Sequence, residues 1–470
     1  MKFTSLILSL IITNSIAFSQ GSASFESDKI SEYIENVKKE YNIPGIVVAI
    51  SDENGVMYLE NFGNVAKDDL FQIGSLSKSF TGLLTLKLHE KGLLNLDDPV
   101  VKYLDWFEYK DKTVSDKITI KNLLYHTSGL TTKMGTECLK KENENNQTDL
   151  SNRLKLFELE ANDPSIFRYS NLNYKFLGYI IESATKDSYG NVLNEEITKP
   201  LSMSNTTGYV TDNFVQGFQY FLYYPIVPIS INYHKDDIPA GYIGSTAVDM
   251  SNYLTELMNS YNGKENTFIS KKTALALFEP DPSKKSLYAM GWVIMDRANT
   301  KTFFHDGATE SFSTHMTIVP EINKNIVVLT NAFGHNTIEI GQGILDIILN
   351  QQHFKQSKTF FNLVRSIPIL ILILIFILIV VLKKWITLHR PVHISKRILP
   401  NIFFVIGLGF CIFLIVVLPD ILQTNFKVIF DFDKSSGYSL LLLIILSFSV
   451  TVLTYFNWTK KTLPNKVYSK

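Results

Sequence analysis

The chain has 470 residues and carries 45 Lys+Arg against 45 Asp+Glu, so it has no net formal charge. That balance, with no basic patch interleaved with aromatics, argues against a nucleic-acid partner, and the length suggests two or three domains. The two cysteines, Cys138 and Cys411, exclude a disulfide framework, and no C-x-x-C or H-E-x-x-H spacing marks a metal site, so neither metal nor cofactor is expected.

Residues 1–20 read as a signal peptide. Lys2 supplies the charged n-region, Leu6 to Ile16 the apolar h-region, and Ala17-Phe18-Ser19 a small-x-small cleavage site. Ile30, Tyr33, Ile34, Val37 and Tyr41 recur at helical spacing, which predicts an amphipathic helix stopped by Pro44-Gly45. Ile46 to Ser51 and Val56 to Phe62 flank Glu53-Asn54-Gly55. Asn-Gly between two β-rich runs predicts a hairpin. A helix is expected from Ser75 to about Lys91, ended by Gly92. Residues 95–165 read as helix and loop, with the Asn/Glu-rich stretch Lys140 to Ser151 as a surface loop. Residues 205–238 are aromatic and irregular. They are expected to pack on the domain, with a substrate entrance or a lipid contact as the alternatives. Ala240 to Met250 leads into a helix ending near Ser260. Tyr288 to Met295, Thr302 to His305, Ser313 to Val319 and Asn325 to Thr330 read as strands that complete one antiparallel sheet with the N-terminal hairpin. The layout is α+β.

Three short patterns carry chemistry. Ser75 and Lys78 are one helical turn apart, so hydroxyl and amine share a face. Serine is a weak nucleophile without a nearby base, and a helix start offers free N–H groups to a developing oxyanion. Tyr169 and Asn171 are two apart just before an apolar-periodic helix; the plain alternative there is capping by Ser170 or Asn171 beside a packed tyrosine. His305-Asp306-Gly307 closes a strand.

Taken in order, S-x-x-K (Ser75, Lys78), Y-x-N (Tyr169, Asn171) and H-x-G (His305, Gly307) resemble the motifs of the serine β-lactamase and penicillin-binding-protein superfamily, in its class C β-lactamase-like branch. The stretches Ile118 to Leu130, Ala240 to Met250 and Met290-Gly291-Trp292 support the match, which covers about residues 25–350. The resemblance implies a β-lactamase/transpeptidase-like fold, an antiparallel sheet with flanking helices plus a helical lobe. It makes Ser75 the acylated nucleophile, Lys78 and Tyr169 the proton-handling pair with either able to be the base, and Asn171 a holder of a substrate amide. The oxyanion hole would come from the N–H groups of Ser75 and Ala308, and His305 and Gly307 would border the substrate. His126 is expected to be a packed, satisfied histidine and Glu310 a solvated loop charge. His305 stands where typical members have lysine. Histidine is mostly neutral near pH 7, which weakens any demand for a substrate carboxylate. H-x-G members include esterases, D-amino-acid peptidases and aminopeptidase-like enzymes.

Three apolar stretches follow, at about 364–382, 398–418 and 437–456, each about long enough to cross a bilayer. The first connection holds Lys383, Lys384, Arg390, Lys396 and Arg397 and no acid, and the tail holds Lys460, Lys461, Lys466 and Lys470. The positive-inside rule places both in the cytoplasm and the catalytic domain outside. The expected organisation is a signal peptide (1–20), an exported hydrolase domain (21–355) and a membrane domain (356–470) in a multi-pass cell-membrane protein. It resembles that of the membrane-bound peptidases that activate nonribosomal-peptide prodrugs, such as those of the colibactin type. Its expected partners are a peptide or small-molecule substrate, membrane lipid, and a membrane partner or a second copy. The expected function is a membrane-anchored serine hydrolase acting through a Ser75 acyl-enzyme on peptide amides or esters containing D-residues, such as a prodrug-activating or D-amino-acid peptidase. A D-alanyl-D-alanine carboxypeptidase, a β-lactamase, or a penicillin-binding sensor with little turnover is the alternative.

Overall fold

The structure, a computed structural model, describes residues 26–137, 146–157, 166–221, 223–281, 286–297, 299–334, 336–351, isolated positions between 366 and 376, 398–418 and 426–462. The expected signal peptide lies outside them.

Six strands form one antiparallel sheet: β1 (Gly45–Asp52), β2 (Gly55–Gly63), β3 (Val293–Arg297), β4 (Thr300–Ala308), β5 (Ser313–Val319) and β6 (Lys324–Thr330), in the order β2-β1-β6-β5-β4-β3. Alternation along a strand sends successive side chains to opposite faces, and β1 shows it. Ile46, Val48 and Ile50 pack with Ile30 and Ile34 of helix α1 (Ser27–Tyr41), while Val47 and Ala49 point into the larger core on the other face. α1 buries the expected stripe Ile30, Ile34, Val37 and Tyr41. Its C-cap, Asn42, turns the chain in the left-handed conformation.

The larger core is built around α2 (Ser77–Glu90), in which every residue from Ser77 to Leu86 is buried. Packed in the same core are α3 (Asn171–Thr185) and α4 (Ala247–Asn262), with α5 (Asn336–Ile348) on the opposite face of the sheet beside α1.

Two local expectations need correction. Ser75 does not open the α-helix: it sits in a 3-10 turn, Gly74–Leu76, and α2 starts at Ser77. Residues 146–151, expected as surface loop, belong to a helix, Asn146–Leu154, because Leu150 and Leu154, one turn apart, are both anchored in the core; the rest of the stretch from Lys140 lies outside the described residues. The aromatic segment forms a hairpin, Gly217–Phe221 with Tyr224–Ile229. Gln219 and Tyr220 are buried, whereas Phe221, Tyr224 and Ile226 are exposed, so only part of it packs on the domain.

From residue 398 the chain forms helix Ile398–Ile412, continued by a π-turn Phe413–Val417, then a short helix Phe426–Phe432 and a long one Lys434–Thr462. Among the described residues one helix, Lys434–Leu453 with mean hydropathy 2.1, is long and apolar enough to cross a membrane; Phe404–Val417 is apolar but shorter. The first expected span lies mostly outside the description.

Candidate active site

The turn that carries Ser75 is pressed against the end of β4. Gly74 adopts φ +57, and a Cβ there would meet Ala308 N at 2.4 Å, so only glycine lets the two backbones come this close. The turn is tied down from both sides. Thr314 Oγ1 donates to Ile73 O (2.7 Å), Ser77 Oγ donates to Gly74 O (2.7 Å), and Ile243 N donates to Ser77 Oγ (3.1 Å). Ser75 and Ala308 therefore share one rigid corner.

Lys78, fully buried, points back from α2 into that corner. Its Nζ lies 3.0 Å from Ser75 Oγ and donates to Asn171 Oδ1 (2.8 Å) and Ala240 O (2.5 Å). The Ala240 segment is itself fixed to α2, where Thr81 Oγ1 donates to Pro239 O (2.7 Å). On the other side, Gly291 at φ +88 leaves no room for a side chain, because its Cβ would meet Lys78 C and O at 2.6 Å. Among the described residues no carboxylate is paired with Lys78, and burial holds its amine well below the usual lysine range.

Tyr169 reaches Ser75 from the opposite side, its hydroxyl donating to Ser75 Oγ at 2.8 Å. Burial raises the phenol above its ordinary range, while the hydrogen bond to Ser75 works the other way. It is therefore a neutral phenol at neutral pH. Asn171 is the first residue of α3. Its neighbour Ser170 is the N-cap but makes no side-chain capping bond, so capping does not account for this motif. The structure thus brings Ser75, Lys78, Tyr169 and Asn171 together within hydrogen-bond reach.

His305 lies one step behind. It is 5% exposed, its Nδ1 is 2.6 Å from Asp306 O, and Tyr288 Oη is 3.1 Å from its Nε2. The carbonyl fixes the proton on Nδ1, so the Tyr288 hydroxyl donates to Nε2. Burial, reinforced by the nearby Lys78, lowers its pKa to about 4, and the ring is neutral at pH 7. His126 is fully buried, as expected, against the Tyr169 ring (centroids 4.6 Å apart), and its Nδ1 accepts from Asn173 Nδ2 (2.8 Å) and Ser170 N (3.2 Å). Its Nε2 finds no partner among the described residues, so it is packed but only half satisfied. Glu310 departs from expectation. It is not a solvated loop charge: its carboxylate accepts from the Tyr242 hydroxyl (3.0 Å), and burial, with Asp431 and Asp237 nearby, raises its pKa to about 7.

The cavity at Ser75 is bordered by Asn171, Ala240, Tyr242, Ala308 and Phe432. Tyr288 and Phe432 belong to no motif. Ala240 and Tyr242 fall in the supporting stretch from Ala240 to Met250, but the Ala240 carbonyl as a lysine partner is visible only in three dimensions.

A model of the Beta-lactamase family matches residues 30–347, more than half of the chain. The chain belongs to the Beta-lactamase family. It is therefore a serine hydrolase of penicillin-binding-protein-like kind. Among similar proteins, Protein flp of Staphylococcus aureus (strain NCTC 8325 / PS 47) is 26% identical over 346 residues, 71% of this chain and 69% of that protein. Penicillin-binding protein 4* of Bacillus subtilis (strain 168) is 27% identical over 330 residues, 63% of this chain and 70% of that one. Two solved structures share the β-lactamase/transpeptidase-like α+β fold. One is the octameric penicillin-binding protein homologue from Pyrococcus abyssi (TM-score 0.56, 21% identity, 73% of this chain and 81% of that one). The other is a D-stereospecific amidohydrolase from Streptomyces sp. (TM-score 0.56, 20% identity, 67% and 98%).

Proposed function

We propose that this Beta-lactamase-family member is a membrane-anchored hydrolase that works through an acyl-enzyme at Ser75 on peptide amides or esters, with D-residue peptides as the preferred class. The observation that carries the reading is the convergence of Lys78 Nζ and Tyr169 Oη on Ser75 Oγ, at 3.0 and 2.8 Å. Lys78 gives hydrogen bonds to Ala240 O and Asn171 Oδ1, which as a neutral amine leaves its lone pair for the serine proton.

The steps follow from that arrangement. Ser75 Oγ bonds to the substrate carbonyl carbon and its proton passes to Lys78. The oxyanion is received by the N–H groups of Ser75 and Ala308. As the C–N or C–O bond breaks, the proton moves from Lys78 through the Tyr169 hydroxyl to the leaving group. Water then attacks the acyl ester, the same pair takes its proton and passes it to Ser75 Oγ as the acyl C–Oγ bond breaks, and the acid leaves with Ser75 restored. Asn171 holds a substrate amide.

His305 supports a substrate without a carboxylate clamp, because its ring is neutral and both nitrogens are engaged. The D-residue preference rests on the H-x-G motif. Anchoring rests on the Lys434–Leu453 helix and on Val405, Ile406 and Val416, large apolar side chains more than 60% exposed on the shorter helix region. Such contiguous apolar surface needs a lipid or protein cover.

The test is covalent labelling of the detergent-purified full chain with a fluorophosphonate probe, followed by peptide mapping. Wild type is expected to carry the label on Ser75 and Ser75→Ala to carry none. Equal labelling of the variant, or labelling elsewhere, contradicts the reading.

A further inference from the structure

The wall of the Ser75 cavity is not made by the hydrolase region alone. One side comes from Phe432, the last residue of the short helix Phe426–Phe432, which lies in the connection between the second and third expected spans. Its ring packs edge-on against Phe333, with centroids 5.7 Å apart. A second contact fixes the segment. The side chain of Gln219, 1% exposed, donates from Nε2 to Asp431 O (2.5 Å) and to Glu310 O (2.9 Å), and accepts on Oε1 from Lys434 N (3.2 Å). One buried amide thus clamps the residues on both sides of Phe432 to the loop that follows the H-x-G motif. The cavity they enclose is small, about 30 Å³, room for about two water molecules. A substrate acyl group that enters it meets the Phe432 ring.

Resting on the acyl-enzyme reading above, we infer that Phe432 is a specificity-determining residue: a wall supplied by the C-terminal region that selects substrates by the bulk of the group seated beside Ser75. Anchor and hydrolase are then one functional unit. Removing the C-terminal region opens the site as well as releasing the enzyme.

The experiment measures kcat/KM of the detergent-purified full chain on p-nitrophenyl esters whose acyl group grows from acetyl through butanoyl to N-acetyl-D-phenylalanyl. It compares wild type, Phe432→Ala and Phe432→Trp, each normalised to fluorophosphonate-titrated Ser75. Relative to acetate, Phe432→Ala is expected to gain about tenfold or more on the bulkiest ester, the scale on which apolar pockets sort substrates by size. Phe432→Trp is expected to move that ratio the other way. Size profiles that superimpose on wild type, or a uniform change on all esters, overturn the inference, because a purely structural role moves every substrate alike. Turnover that persists in Ser75→Ala contradicts the acyl-enzyme reading instead, which keeps the two failures apart.

Discussion

A lysine enclosed with carbonyl and amide partners but no carboxylate has little to hold its proton, and among the described residues Lys78 is in that position. Its neutral form is the active one, so kcat/KM is expected to fall as pH drops through the lowered lysine pKa, with the inflection well below 10.5. Lys78→Arg keeps a permanent charge and is expected to lose about 10²–10⁴-fold in kcat/KM, measured on any ester the wild type turns over. A full-rate Arg variant contradicts this base assignment. Glu310 gives a stability signature. Its folded pKa, about 7, lies above the ordinary 4.5, so the folded state binds the extra proton between those values. Its contribution is present in full below pH 4.5 and is lost as pH rises through about 7. Glu310→Gln is expected to flatten that loss in a series of thermal melts from pH 4.5 to 8. An unchanged slope refutes the assignment. Ser75, Lys78, Tyr169 and Asn171 were legible because their short motifs, taken in order along the chain, resemble those of the β-lactamase superfamily; spacing alone puts only Ser75 and Lys78 on one face. Tyr288, the Ala240 carbonyl and Phe432 were not, since each reaches the site through a long-range contact that leaves no pattern. Glu310 was misread because loop acids are usually solvated, and here the Tyr242 hydroxyl and the surrounding core enclose one.

At the scale of elements, the sheet and α1 could be read from period-2 and period-3.6 burial; the β1–β2 hairpin forms where expected, but with Glu53-Asn54 as its two loop residues, Asp52 opposite Gly55, and a register shift at Ile50/Ser51. The helix Asn146–Leu154 was hidden because, among the described residues, its apolar anchors are Leu150 and Leu154 in an otherwise polar sequence. The 3-10 turn at Ser75 was hidden because its geometry is imposed from outside, by Thr314, Ser77 and the end of β4. Gly291 shows the same dependence on packing. Its φ of +88 and the 2.6 Å approach to Lys78 leave no place for a Cβ. Gly291→Ala is expected to cost at least about 1–3 kcal/mol from backbone strain alone, read as a lowered unfolding midpoint. It is also expected to slow fluorophosphonate labelling, because α2 must shift to accommodate it. A variant with wild-type stability contradicts the close packing.

At the scale of the whole molecule, the proposed topology makes a claim of its own. Gln219 holds Asp431 and Lys434 against the hydrolase region, so the topology expected from the sequence requires the connection that bears Phe432 to lie on the same side of the membrane as Ser75. The same expected topology puts the cluster from Lys383 to Arg397, which falls outside the described residues, on the opposite side by the positive-inside rule. Trypsin added to intact spheroplasts is expected to spare that cluster and to cut it after permeabilisation; cleavage from outside contradicts the topology. The central claim is the acyl-enzyme, and intact-mass spectrometry of the full chain tests it most directly. The detergent-purified protein is mixed with an N-acyl-D-asparaginyl peptide and quenched in acid over a time course. The account predicts a transient mass increase equal to the acyl group, mapped to Ser75, that decays as the free N-acyl amino acid appears. Product formation with no adduct on Ser75, at a rate that survives Ser75→Ala, would contradict it.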